Sequence, residues 1–497
     1  MLRSYILVLD LGTTGIKACL MNREGRIVAR GYRKVPQLYP KPGWVEQDPM
    51  QLWQLTLAGI DEAFRQVACG WGDVDAVGIT NQRETTILWD KTTGEPVYNA
   101  IVWQCRRTAD ACQALAQNEA LAEDIHARTG LVLDAYFSAS KIQWLFQNVP
   151  AVGELAQAGN LLFGTVDTWI LWKLTGQAVH ATDYTNASRT MLLNIQTKTW
   201  DDMLLQTFGV PLEILPVVKK SNTHYGQVDP ALTGGVDVSI TALVGDQQSA
   251  LYGQQCWEPG SCKNTFGTGA FLMMNLGERF LLSDKGLLTT LACDAQGNPC
   301  YAYEGAIFIA GAALEWLKDS LGIIGSFDEA DNLAQSLNSN DGVYFVPAFV
   351  GLGAPYWQPN ARGVITGLTQ GTGKAHMARA ALEAMAYQTA DMVRLMQAES
   401  GLAIDTLKVD GGVSQSDFLM QFLSDMIQNA VCRMSDPDLT AKGAGYLAGL
   451  ASGFWGSVAE VQACPEGQQV FHSRMRLVDR EGYQAGWEKA VGQAVSN

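Results

Sequence analysis

Apolar residues run unbroken over positions 5–9, stop at Asp10, and resume over 18–21 across Gly12-Thr13-Thr14-Gly15. Two short apolar runs around a turn rich in glycine and hydroxyls predict a hairpin. After Asp48 the period changes. Trp53, Leu57, Ile60, Phe64 and Val67 recur at steps of three and four behind a capping acid and Pro49, and so predict a helix. Positions 74–79 return to strand character and lead into Thr80-Asn81-Gln82-Arg83-Glu84-Thr85-Thr86. Positions 85–90 and 97–103, around Thr92-Thr93-Gly94, predict a second hairpin ending at Trp103. Positions 131–141 read as a loop carrying Asp134, Tyr136 and Ser138, 167–176 as a helix closed by glycine, and 182–189 as a hydroxyl-rich loop.

A β-branched run over 236–244 ends in Gly245-Asp246-Gln247-Gln248, with a helix following at once. Positions 263–271 then echo the opening hairpin, with Gly267-Thr268-Gly269 at the turn. Positions 409–414 give a strand, a glycine pair and a helix from about Asp417, and 462–497 read as a terminal helix. Repetition of one strand-turn style predicts a duplicated α/β architecture holding one nucleotide, with domains over 1–252 and 253–497.

The chemistry sits at the turns. Gly12 and Gly15 let backbone N–H groups face a ligand, Thr13 and Thr14 add hydroxyls, and Lys17 adds positive charge, a set able to hold a terminal phosphate. Asp10 beside it suits a hydrated Mg²⁺, which takes one or two carboxylates plus phosphate oxygens. The same stretch also reads as a plain glycine-rich hairpin, and it lacks the spacing of a P-loop. Arg83 next to Glu84 pairs donors with an acceptor, which suits neighbouring hydroxyls or makes a surface ion pair. Asp246 and Gln247, directly after a strand, are placed as a general base and a positioning amide. Trp103 serves as a pocket wall or as core, and Tyr136 can offer a phenol to a polar ligand.

Composition narrows the partners. The formal net charge of −15 leaves no basic field for nucleic acid or an anionic membrane. No apolar run approaches the ~18 residues of a membrane span. Ten cysteines without a Cys-x-x-Cys pair, and no secretory leader, are expected of reduced thiols in a cytoplasm.

With these residues in view the chain resembles the FGGY family of carbohydrate kinases from about Tyr5 to Trp455, and within it the branch that phosphorylates glycerol rather than pentuloses. The motifs are 39–46 (Tyr-Pro-Lys-Pro-Gly-Trp-Val-Glu), 78–86, 99–108, 183–190, 245–248 and 347–357. The resemblance implies a two-domain fold of the actin, sugar kinase and hsp70 ATPase type, with a ribonuclease H-like core in each half and a central cleft. It implies ATP-dependent phosphorylation of glycerol to sn-glycerol 3-phosphate, with Mg²⁺, in a cytoplasmic homo-oligomer, a dimer or tetramer. Arg83, Glu84, Tyr136, Asp246 and Gln247 would hold the hydroxyls, Trp103 and Phe271 would face the C–H side, and Asp246 would be the base. Thr13, Thr14, Gly15 and Lys17 would face the phosphates, Asp10 the metal, and Thr268, Gly311, Glu315, Gly412 and Ser416 the rest of the nucleotide. Leu11, Gly15, Ile16 and Lys17 depart from the usual Asp-Gln-Gly-Thr-Thr-Ser-Ser-Arg of that branch, Glu315 replaces a Gln, and Ser416 an Asn. A Lys at 17 keeps the charge but loses the planar fork of Arg. The competing expectations are a kinase for another polyol or ketose, of erythritol or xylulose type, and a non-catalytic actin-like nucleotide-binding protein.

Overall fold

The opening hairpin forms the middle of a six-stranded sheet. In this computed structural model, which describes residues 3–358, 360–464 and 467–496, the sheet runs Asn222–Gln227, Ser239–Gly245, Val74–Asn81, Tyr5–Leu11, Gly15–Met21 and Ile27–Lys34. Tyr5–Leu11 is antiparallel to Gly15–Met21 and parallel to Val74–Asn81, which is parallel to Ser239–Gly245 on its other side. The registers set both Leu11 and Gly245 against Asn81. Three carboxyl ends thus finish side by side, where open α/β sheets gather ligand-binding residues.

Both faces of this sheet are covered, which explains why positions 5–9 are continuously apolar instead of alternating. On one face Leu7, Leu9, Ile16 and Val77 pack with Leu52, Ile60 and Phe64 of the helix Pro49–Gln66. Asp48 caps that helix by accepting from the Met50 and Gln51 amides at 2.8 and 3.3 Å. On the other face Ile6, Val8, Cys19 and Val244 pack with Ala441, Ala444 and Leu447 of the helix Leu439–Ser452. This second helix sits very close. A Cβ on Gly78 would lie 2.6 Å from the Ala444 carbonyl oxygen, and one on Gly443 1.9 Å from that of Ser249.

The chain divides into two compact units. One comprises Met1–Trp257, Thr289–Tyr301 and Asp438–Pro465, and the other Glu258–Leu288, Ala302–Pro437 and Glu466–Asn497. Each compact unit is assembled from more than one stretch of chain, with Thr289–Tyr301 and Asp438–Pro465 returning to complete the first. In the second unit Cys262–Phe266 pairs antiparallel with Ala270–Gly277 and parallel with Thr406–Asp410, which is followed by Ala430–Met434 and Gln468–Phe471. That arrangement repeats the hairpin and parallel neighbour of the first unit.

Several local expectations change. Between 85–90 and 96–103 the pairing is fragmentary: Thr86 bridges Ile101, Trp89 bridges Pro96, and the Val97 amide donates to the Leu88 carbonyl at 2.9 Å. Ile87–Asp90 pairs instead with Leu161–Gly164, and Ala100–Ile101 with Glu46–Gln47. Ser138 opens the helix Ser138–Asn148 and so lies outside the loop. The stretch 182–189 is a buried strand end, Ala181–Asp183, followed by one helical turn, Tyr184–Ala187. Within 462–497, where 465, 466 and 497 lie outside the described residues, Gln468–Phe471 is a strand and Leu477–Val495 the helix. No helix among the described residues is long and apolar enough to cross a membrane.

Asp167 is buried and accepts hydroxyl hydrogen bonds from Thr165, from Thr182 at 2.7 Å and from Thr168 at 3.4 Å. Burial pushes its carboxyl up from 3.8 to about 6 despite those donors. With the folded value above the unfolded one, its stabilising contribution is full below about pH 4 and lost as pH rises through about 6. Relative to the native chain, Asp167→Asn should therefore gain about 3 kcal/mol between about pH 4 and about pH 7, read by urea unfolding at the two pH values.

Candidate active site

At the first of the three carboxyl ends Asp10 stands in register with Lys17 across the hairpin. The Lys17 ammonium lies 3.5 Å from Asp10 Oδ2 and 3.2 Å from Asp438 Oδ1, and Arg30 Nε donates to the other Asp438 oxygen. Although burial works against its charge, Asp10 and Asp438 together hold the Lys17 pKa above its ordinary value. Burial raises the Asp10 carboxyl, with Lys17 opposing and Asp438 adding to the rise. Asp438 precedes the helix Leu439–Ser452 and was not among the expected site residues.

Thr13 closes a ring of hydrogen bonds. Its hydroxyl accepts from Trp103 Nε1 at 2.9 Å and its carbonyl from Gln47 Nε2 at 2.7 Å. Gln82 donates to Gln47 at 2.8 Å, Thr85 to Gln82 at 3.1 Å, and the Trp103 amide to Thr85 at 3.3 Å. The turn between the first two strands is thereby tied to the end of Val74–Asn81. Thr14 remains exposed and Gly15 opens the second strand.

At the second and third ends the structure brings together Arg83, Glu84, Asp246 and Gln247. Arg83 Nε is 3.3 Å from Asp246 Oδ1, with side-chain exposures of 3% and 30%, so the cation is enclosed and the carboxylate is open to a ligand. Arg83 also donates to Gln248 at 3.2 Å. Asp246 begins the helix Asp246–Gly253 and accepts from the Gln247 amide at 2.7 Å. Glu84 is buried, with φ of 59°, a left-handed conformation that costs a non-glycine residue energy and is concentrated at functional sites. Arg189 Nε donates to Glu84 Oε1 at 2.6 Å, and its guanidinium lies 5.4 Å over the Tyr136 ring. Tyr136 in turn meets Trp103 at 5.4 Å between ring centroids.

The polar run 183–189 builds the foundation of this cluster. The Thr185 hydroxyl donates to Asp183 at 2.6 Å and accepts from the Gly245 amide at 2.8 Å, fixing the residue before Asp246. Asn186 and Asn81 exchange amide hydrogen bonds of 2.9 and 3.1 Å, fixing the strand end before Arg83. Arg189 was missed as a site residue. Its signal was an arginine in a run of short hydroxyl and amide side chains, a composition suited to a buried polar platform.

Phe271, Thr268, Gly311, Glu315, Gly412 and Ser416 belong to the second unit. There the Gly267 and Thr268 carbonyls accept from the Gly311 and Ala312 amides at 3.0 and 3.1 Å, drawing the turn onto the start of the helix Gly311–Glu315. Thr268 and Glu315 are exposed, and Phe271 lies on Ala270–Gly277. A cavity of about 230 Å³ is lined by Gly412 and Ser416 together with Leu314, Phe327 and Asp331. At Gly411, the residue before Gly412, φ is 93° and a Cβ would lie 2.1 Å from the Phe266 carbonyl oxygen, so only glycine fits. Ser416 caps the helix Asp417–Ile427 by accepting from the Leu419 amide at 3.0 Å, and it donates to Asp331.

Among the described residues no three His, Cys, Asp or Glu side chains gather as a metal cage. Asp10 offers one carboxylate, while neighbouring Asp438 is engaged by Lys17 and Arg30. Such a donor set fits a Mg²⁺ that brings its own waters and phosphate oxygens.

Family profiles match along nearly the same span: the N-terminal domain of the FGGY family of carbohydrate kinases over residues 5–253, and its C-terminal domain over 262–452. The chain belongs to the FGGY family of carbohydrate kinases. A glycerol kinase of Symbiobacterium thermophilum is 49% identical over 492 residues, 99% of this chain and 98% of the relative. A glycerol kinase of Escherichia coli is 48% identical over 494 residues with the same coverage. A solved glycerol kinase of Plasmodium falciparum with ADP matches at a TM-score of 0.93 and 34% identity, over 99% of this chain and 98% of that one. A xylulose kinase of Lactobacillus acidophilus matches at 0.88 and 22% identity, over 98% and 97%, a likeness of fold alone.

Proposed function

We propose that this protein is a glycerol kinase, transferring the γ-phosphoryl group of ATP to a primary hydroxyl of glycerol. The observation that carries the reading is the convergence of Arg83, Glu84 and Asp246 on adjacent carboxyl ends of parallel strands beside the Trp103 and Tyr136 rings. Enclosed donors and acceptors next to an aromatic wall match a small triol, which is polar along its hydroxyls and apolar along its C–H side. Asp246 accepts the proton of the attacking hydroxyl, Arg83 and Glu84 orient the others, and Gln247 and Tyr136 complete the set. Full-length relatives that are themselves glycerol kinases support this over a pentulose kinase.

Phosphoryl transfer asks a protein mainly for positioning and charge neutralisation. An ammonium has three N–H donors. With two aimed at Asp10 and Asp438, Lys17 keeps one for a phosphate oxygen, assisted by Thr13, Thr14 and Gly15. When bound with the nucleotide, Mg²⁺ supplies positive charge at the phosphates, and Asp10 would hold it through water. In the second unit Gly412 and Ser416, at the cavity, with Thr268, Gly311 and Glu315, are the candidate nucleotide contacts. All ten cysteines are free thiols, which supports a reducing cytoplasm as the location.

A panel of glycerol, dihydroxyacetone, erythritol and xylulose, scored by kcat/KM in a coupled assay of ADP release, tests the assignment. Glycerol should exceed each of the others by at least about tenfold, the discrimination expected where buried polar groups would be left unpaired by a misfitting acceptor. Equal use of any of the other three removes the assignment.

A further inference from the structure

Lys141 is buried completely and has no part in the chemistry above. From the first turn of Ser138–Asn148 its ammonium reaches back to donate to three successive carbonyls, those of Ala135, Tyr136 at 2.7 Å and Phe137 at 3.0 Å. Three donors therefore meet three acceptors. A cation at a helix N-terminus opposes the helix dipole. Burial also lowers its pKa to about 8, against the attraction of the Glu84 and Asp134 carboxylates. Such a placement weakens the fold unless the turn it gathers is needed in one shape.

That turn carries Tyr136. The Tyr136 amide donates to Asp134 Oδ1 at 2.8 Å, and Arg106 grips both oxygens of Asp134 at 2.7 and 3.0 Å. The Ser138 hydroxyl donates to the Glu84 carbonyl at 2.9 Å, joining the same turn to the residue read as a glycerol contact. We propose that Lys141 is a positioning residue for the acceptor, clasping the carbonyls of 135–137 so that the Tyr136 phenol is held against Trp103 at the place where glycerol binds. The proposal rests on the reading of Tyr136 and Glu84 as glycerol ligands.

The test is steady-state kinetics at about pH 7, where the ammonium is charged, on the full chain carrying Lys141→Met, alone and with Tyr136→Phe. The expected result is a KM for glycerol raised by about tenfold or more, as for loss of hydrogen bonds from a charged group. The KM for ATP and the kcat at saturating glycerol should move less than about twofold. In the Tyr136→Phe background the same change should raise the KM by less than about threefold, since coupled residues are non-additive. An unchanged KM in a folded Lys141→Met, or an undiminished rise in the Tyr136→Phe background, overturns the proposal. Lys141→Gln, whose amide serves at most two carbonyls, carries the same readings where the methionine variant fails to fold. A native chain that releases no ADP in response to glycerol fails at the functional reading itself, and this inference goes with it.

Discussion

Asp246→Asn loses about 10²- to 10⁴-fold in glycerol-dependent kcat, the usual contribution of a positioned general base, while nucleotide affinity and folding are retained. An alcohol is a poor nucleophile at neutral pH, and an amide cannot accept its proton. Asparagine keeps the shape and the acceptor for the Gln247 amide. Arg83 keeps its hydrogen bond to Gln248. Single-turnover measurement with saturating ATP and glycerol separates this step from binding. A variant with near-native kcat would take the base role away from Asp246.

Arg189→Leu should cost about 3–5 kcal/mol of stability, because it removes a charged partner from a carboxylate that is itself enclosed. The two side chains are 0% and 2% exposed, with Nε to Oε1 at 2.6 Å. Catalysis should suffer independently, since the Arg189 guanidinium also backs the Tyr136 ring. Adding Glu84→Gln to Arg189→Leu should return much of the lost stability in urea unfolding without restoring kcat/KM for glycerol. A single variant that loses less than about 1 kcal/mol would mean that Glu84 does not depend on Arg189.

What could be read from the sequence was local. The hairpin around Gly12, the capped helix after Asp48, the strand end at Asn81, the step from Gly245 to Asp246 and the glycine pair at 411–412 each follow from period and turn chemistry within a dozen residues. Asp438 was beyond that reach, since it bonds Lys17 from 421 positions away. Arg189 pairs with Glu84 across 105 positions, so nothing near either residue announces the pair. Positions 182–189 looked like a loop because Ser, Thr, Asn and Asp favour turns. Here the neighbouring strand ends consume their hydrogen bonds, so burial overrides that preference. The hairpin over 85–103 stays fragmentary for a related reason: Ile87–Asp90 found its main partner in Leu161–Gly164, and tertiary pairing outweighed proximity in sequence.

The helix Leu439–Ser452, laid over the sheet built by the first 245 residues, has a bearing on biogenesis. Folding usually proceeds from the N-terminus as a chain emerges from the ribosome, at roughly 5–20 residues per second. The sheet is then made long before its cover, and Ile6, Val8 and Val244 must wait, on the order of ten seconds or more, with one greasy side open to the cell. Chaperone demand and premature clumping should concentrate in that interval, and a stop codon shortly before Asp438 would leave a product doomed to degradation, although every group credited with gripping the triol in the first unit had already been translated.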